Sequence, residues 1–173
     1  LITPAYYVDE SLLASVTLRI VALSIRHGVS GDSALGFAIY AAITLNQLED
    51  PSSARDLLAV AWAICDRFPS PALEVKMATM AGIHVHMWAH PIATAAPRIE
   101  PFIDQASALG DYTFACTAMS GRIHLRWLGR GTLREVEQAA AAVYPIARRV
   151  PGFDHQHWFI PIERACMALT GRT

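Results

Sequence analysis

One pattern appears twice in this chain, forty residues apart, and it constrains the fold more than any other feature. Ile83-His84 recurs as Ile123-His124, and Pro51 recurs as Pro91, both at an offset of 40. Around each Ile-His pair an apolar helical pattern runs to a tryptophan and then stops. The first ends at Trp88 before Ala89-His90-Pro91, the second at Trp127 before Leu128-Gly129-Arg130-Gly131. A fixed offset of this size marks stacked helical hairpins, units that bury their apolar faces only against their neighbours.

The rest of the chain reads in the same way. Leu12, Leu13, Val16, Ile20 and Leu23 recur at helical spacing from Asp9, a suitable N-cap, to Arg26-His27-Gly28, a C-terminal signature. Gly31-Asp32 opens a second helix from Ser33 to Leu48, and Asp50-Pro51 opens a third that runs to Phe68. In the third, Leu57, Leu58, Ala61, Ile64 and Cys65 form the apolar stripe, while Arg55, Asp56, Asp66 and Arg67 face water. Ser70-Pro71 opens the fourth. The fifth carries Pro91, Pro97 and Pro101, so it is bent or begins in earnest near Pro97, and it ends at Leu109-Gly110. Asp111 caps the sixth. Thr132 and Glu135 form a capping box for a seventh, expected to run to Arg149 before Pro151-Gly152. An eighth spans Asp154 to Leu169 with Pro161 in its middle.

No segment alternates strictly, so no strand is expected. The expected fold is all-α, an α-α superhelix of about four antiparallel helical hairpins with tetratricopeptide-like packing. Residues 1–173 are read as a single helical-repeat domain. Small residues, Ala41-Ala42, Ala81-Gly82, Ala118 and Gly121, stand where helices would cross closely.

The 173 residues are 53% hydrophobic and 17% charged, with a mean hydropathy of +0.30. Such a chain buries its helices on two sides or keeps a face for a partner, another protein or a second copy of itself. A net charge of −1 argues against nucleic-acid binding through phosphate neutralisation. No apolar run approaches the roughly 18 residues of a spanning helix, so membrane insertion is not expected. Cys65, Cys116 and Cys166 are widely spaced and lie in apolar helices, which suggests buried, reduced thiols and a cytoplasmic setting. The amino end has no signal-peptide pattern, and both ends read as cuts through something longer.

Chemistry is thinly marked. Gly129-Arg130-Gly131 lacks the Lys-Ser/Thr of a phosphate loop and reads as a helix-ending turn. His86 and His90, spaced i, i+4, are the candidates for a metal site, without a carboxylate between His84 and His90 to complete it. His84 and His124 are read as hydrogen-bonded residues of the repeat interface. Glu100 and Asp104 share a helix face and could repel each other or hold a cation, although such a pair is ordinarily a solvated face. Trp62, Trp88, Trp127 and Trp158 are candidates to line an interaction groove, although tryptophans at helix ends also serve as packing residues. No catalytic residue and no cofactor site is assigned.

Several stretches carry a family resemblance. These are His27-Gly28-Val29-Ser30 leading into Gly36-Phe37-Ala38-Ile39-Tyr40, then Asp66-Arg67-Phe68, and above all Gly110-Asp111-Tyr112 with the run His124 to Glu137. Across roughly residues 10–170 the chain resembles the tetratricopeptide-like helical region of large bacterial multidomain signalling proteins. In that family a serine/threonine-kinase-like domain and an AAA-type ATPase precede the helical region, and GAF or PAS sensors and a histidine kinase often follow. The resemblance implies a non-catalytic module for protein–protein or interdomain contacts, its partners being flanking domains or another protein, with active sites outside this chain. The alternative is a small-ligand-sensing helical domain. Pro101 and Pro161 depart from the family pattern.

Overall fold

The computed structural model of the chain describes residues 5, 8–89, 91–129, 131–150 and 156–172. Among these residues the fold is all-α, without a strand. The helices are α1 (Glu10–His27), α2 (Gly31–Leu48), α3 (Pro51–Arg67) and α4 (Pro71–Met80). A π-helical turn (Ala81–His86) and a last α-turn (Met87–Ala89) continue α4. Then come a 3-10 turn (Ile92–Thr94), α5 (Ala96–Ala108), α6 (Tyr112–Leu128), α7 (Leu133–Ala141), the short α8 (Tyr144–Ala147) and α9 (Gln156–Leu169).

The period lies in the helix starts. The residues that precede the first helix of each hairpin are Asp9, Asp50, Pro91 and Thr132, in equal steps of 41. Those that precede the second helices begin Ser30, Ser70, Asp111, in steps of 40 and 41. The offset of 40 seen at Pro51 and Pro91 therefore pairs unlike positions: Pro51 is the first helical residue, whereas Pro91 is a cap.

The caps explain where the helices begin. Asp9 Oδ1 accepts from Leu12 N–H at 2.9 Å, and Asp111 Oδ1 accepts from Phe114 N–H at 3.2 Å. The Thr132–Glu135 capping box is complete: Glu135 N–H donates to Thr132 Oγ1 at 3.2 Å, and Thr132 N–H donates to Glu135 Oε2 at 2.7 Å. Each supplies partners to backbone donors that a helix leaves open at its first turn. Gly28, at φ +96°, closes α1 and donates its N–H to Ser24 O at 3.0 Å.

Two compact units make up the chain, Leu1–Val85 and His86–Thr173. In the first, α2 is central and packs against α1, α3 and α4. A three-residue connection between two packed 18-residue helices folds α1 and α2 back antiparallel. Its core joins Val21, Phe37, Ala38, Ala61, Ile64 and Met77, with Ala41, Ala42, Ala54 and Val85 in a second cluster. The small residues expected at helix crossings are buried here, so the backbones approach closely. In the second unit α6 is central and packs against α5, α7, α8 and α9. Ile99, Phe114, Met119, Ile123, Val136 and Phe159 are among its buried residues.

The fifth element takes the second of the two forms expected for it: after Pro91 comes a 3-10 turn, and α5 proper starts at Ala96 with Pro97 in its first turn and Pro101 inside. Two departures from the sequence reading have local causes. The seventh helix does not run unbroken to Arg149. Pro145 lacks an N–H and its ring clashes with a carbonyl one turn back, so α7 ends at Ala141 and α8 restarts with Pro145 in its first turn. The second departure is the π-turn at Ala81–His86. Burial in 75–79 matches that in 116–120 at an offset of 41, Thr79 standing where Ser120 stands; beyond Ala81 the sequence pair Ile83-His84 matches Ile123-His124 at 40. Relative to α6 the α4 element holds one extra residue, Met80. A π-turn is the local widening that absorbs one residue without rotating the turns beyond it. The start of the eighth helix at Asp154 and its preceding Pro151-Gly152 break lie outside the described residues.

Candidate functional site

The first unit carries an open cleft of about 440 Å³ along the α2–α3 hairpin. Tyr40, Thr44 and Leu48 line it from α2, at i, i+4 and i+8, one face of that helix. Ser53, Asp56, Leu57 and Val60 line it from α3, again on one face, and Asp50 closes the end at the turn. The turn is tight. Glu49 takes a left-handed conformation, φ 53°, and its N–H donates to Thr44 O, ending α2. Asp50 Oδ1 then accepts from Ser52 N–H and Ser53 N–H, both at 3.1 Å, and from Ser52 Oγ–H at 2.7 Å. Hydrogen bonds from Ser53 and Ser52 hold its carboxyl down to about 2, so Asp50 is a fixed negative charge at neutral pH.

Thr44 is one of three helical hydroxyls, with Thr17 and Ser120, that are buried without a partner. Ser24, Thr79, Ser107, Thr117 and Thr170 each donate to the carbonyl four residues back, at 2.7 to 3.1 Å. Thr44 Oγ1 is buried, in a residue only 4% exposed, and has no partner. A buried hydroxyl left unpaired costs about 1–3 kcal/mol. The cleft also keeps apolar surface in water: Leu48 is 66% exposed and Val60 44%. Among the described residues no hydrogen bond or ion pair engages Asp56. The result is a trough with apolar walls, two carboxylates and an unused hydroxyl, and without a basic side chain in its lining.

The residues singled out from the sequence fall elsewhere. His86 is buried, and its Nε2 lies 3.0 Å from Thr94 Oγ1. Thr94 spends its own proton on Pro91 O at 2.7 Å, so His86 donates from Nε2, and that nitrogen has no lone pair for a metal. His90 lies outside the described residues. His124 Nδ1 bonds to Ser120 O at 2.8 Å within its own helix. Glu100 faces an arginine of the next helix. Arg126 pairs with Glu100 at 2.6 Å, and Arg122, whose charge burial disfavours, is steadied by Glu100 and Asp104.

Trp62 packs half-buried on the core of the first unit, while Trp88, 65% exposed, and Trp127 belong to the second. The side chain of Trp158 lies outside the described residues. Trp62, Trp88 and Trp127 do not line the α2–α3 cleft. The three thiols are free and buried, and burial pushes them up, Cys116 to about 11, so the reactive thiolate is disfavoured. Glu163 accepts a hydrogen bond from Tyr144 Oη–H, and Tyr144, pushed up to about 12 by burial and by that bond, stays protonated. Among the described residues no group of three His, Cys, Asp or Glu is placed to hold a metal ion, and no helix is long and apolar enough to cross a membrane.

Sequence reading missed the cleft. Its signal was a matched pair of stripes, Tyr40/Thr44/Leu48 and Ser53/Asp56/Leu57/Val60, flanking one turn with a hydroxyl inside an apolar run. No family model, no curated protein and no solved structure matches this chain.

Proposed function

We propose that this chain is a non-catalytic helical-repeat module that makes protein–protein or interdomain contacts. The observation that carries the reading is the surface of α1. Leu12, Leu18, Leu23 and Ile25 are all exposed there, Ile25 at 74%, and Val8 just before the helix is exposed too. Leu18 and Ile25, seven residues apart, share one stripe of the helix, and exposed apolar surface of this kind marks a place of contact. The resemblance to the helical region of bacterial signalling proteins supplies the class of partner: flanking ATPase, kinase or sensor domains, a second protein or a second copy, in a cytoplasmic setting. The chemistry of such a protein then lies outside these residues. The small-ligand alternative is less well supported, because the α2–α3 cleft is open, whereas ligand pockets bury most of their ligand's surface.

Solution mass across concentration tests this. Light scattering on the wild-type chain is expected to give a mass that climbs above 18.9 kDa with concentration, as α1 faces find one another. The double substitution Leu18→Gln/Ile25→Gln is expected to hold it at 18.9 kDa without lowering the unfolding midpoint, since neither side chain belongs to the core. A wild-type mass fixed at the monomer value throughout would count against α1 as a contact face.

A further inference from the structure

We infer that the α2–α3 cleft receives a basic side chain, Arg or Lys, carried on an apolar stretch of a partner protein. This rests on the reading of the chain as an interaction module and names the chemistry of one partner. Three observations select the occupant. First, the lining offers Asp50 and Asp56 and no basic residue, so the complementary charge is positive and comes from outside. Second, of the three helical hydroxyls that are buried without a partner, Thr17, Thr44 and Ser120, Thr44 is the one in the wall of this cleft. That oxygen has almost no exposed surface, so an incoming guanidinium or ammonium, which is a donor, would satisfy it only as the cleft wall shifts to admit it. Third, the walls are apolar and exposed at Leu48 and Val60. The methylene stem of Arg or Lys lies along such walls while its head reaches a carboxylate. Covering Leu48 and Val60 as well takes more than one side chain, so the occupant is a stretch of polypeptide and not a free amine. An inorganic cation suits the cleft poorly, because it gains nothing from apolar walls and finds two carboxylates where hard cations take six or more oxygens.

The α2–α3 hairpin supplies every lining residue, and single substitutions at the exposed Leu48, Asp56 and Val60 address the site without touching the core. The test pans a random peptide library on phage against the whole chain and then maps the selected peptides by amide chemical shifts. The expected peptides carry Arg or Lys beside Leu, Ile, Met or Phe, and they shift Tyr40, Thr44, Leu48 and Val60. Asp56→Asn and Leu48→Gln, both at exposed positions, are expected to weaken them by about tenfold. Thr44→Val separates a binding role from a structural one: it should raise the unfolding midpoint, by removing an unpaired buried hydroxyl, while it weakens the peptide.

Selected peptides without a basic residue, binding indifferent to Asp56→Asn, or no enrichment at all would overturn the proposal. So would N-acetyl-arginine amide binding as tightly as the peptides, which would make this a site for small cations. Peptides whose shifts map to α1 instead would remove the cleft and leave the interaction-module reading standing. The α1 contact face on which that reading rests is tested separately, by the mass measurement.

Discussion

Gly36 stands in α2 where an added Cβ would come 2.6 Å from Ile20 Cγ2 on α1. Ile is stiff at χ1 and cannot swing that methyl away. Overpacking of this kind costs about 1–3 kcal/mol, while Gly→Ala inside a helix gains about 1 kcal/mol in propensity. Gly36→Ala is therefore expected to destabilise by about 1 kcal/mol in urea unfolding. In an Ile20→Ala background the clash is gone, and the same substitution should become stabilising. Asp50 gives a second residue-scale test. Its folded-state pKa is depressed, so its contribution is full above the ordinary value of 3.8 and is lost as pH falls towards about 2. Asn caps a helix as well as Asp but does not titrate. Asp50→Asn should leave stability at neutral pH nearly unchanged and flatten its fall between those two pH values. Asp9 and Glu135, also depressed by backbone hydrogen bonds, keep part of the slope in both proteins.

At the scale of the element, helix existence was legible because each start carries its own chemistry. Asp9, Asp50, Ser70-Pro71, Asp111 and the Thr132–Glu135 box all stand at or next to a start in the folded chain. What was not legible depended on a single residue inside a run. Pro145 breaks a stretch whose apolar period continues through it. The π-turn was present in the sequence as a disagreement between two offsets, 41 between helix starts and 40 between Ile83-His84 and Ile123-His124. Deleting Met80 should let residues 71–89 close as an uninterrupted α-helix, with cooperative thermal unfolding retained. Deleting Thr117 from α6, which has no widened turn to relax, rotates everything after it by about 100° and should abolish cooperative unfolding. Equal damage from the two deletions would mean that Met80 is not the extra residue. The cleft was invisible for another reason: an unpartnered hydroxyl is a fact about neighbours, and Thr44 in an apolar run looks like any other core threonine.

At the scale of the whole molecule, one step of 41 residues sets four helix starts, and the chain gathers into two compact units, each built on one helix. Nine residues of α2 and nine of α6 are buried, against three of α1. Stability is distributed accordingly, highest where a helix is covered on several sides. The measurement that tests this architecture most directly is native-state amide hydrogen exchange along the entire chain. The slowest amides should fall in α2 and α6, with protection breaking at Glu49-Asp50 and at Gly110-Asp111, and α1 should exchange faster than α2. Protection running unbroken through those turns, or slowest in α1, would contradict an array of hairpins built on a 41-residue step.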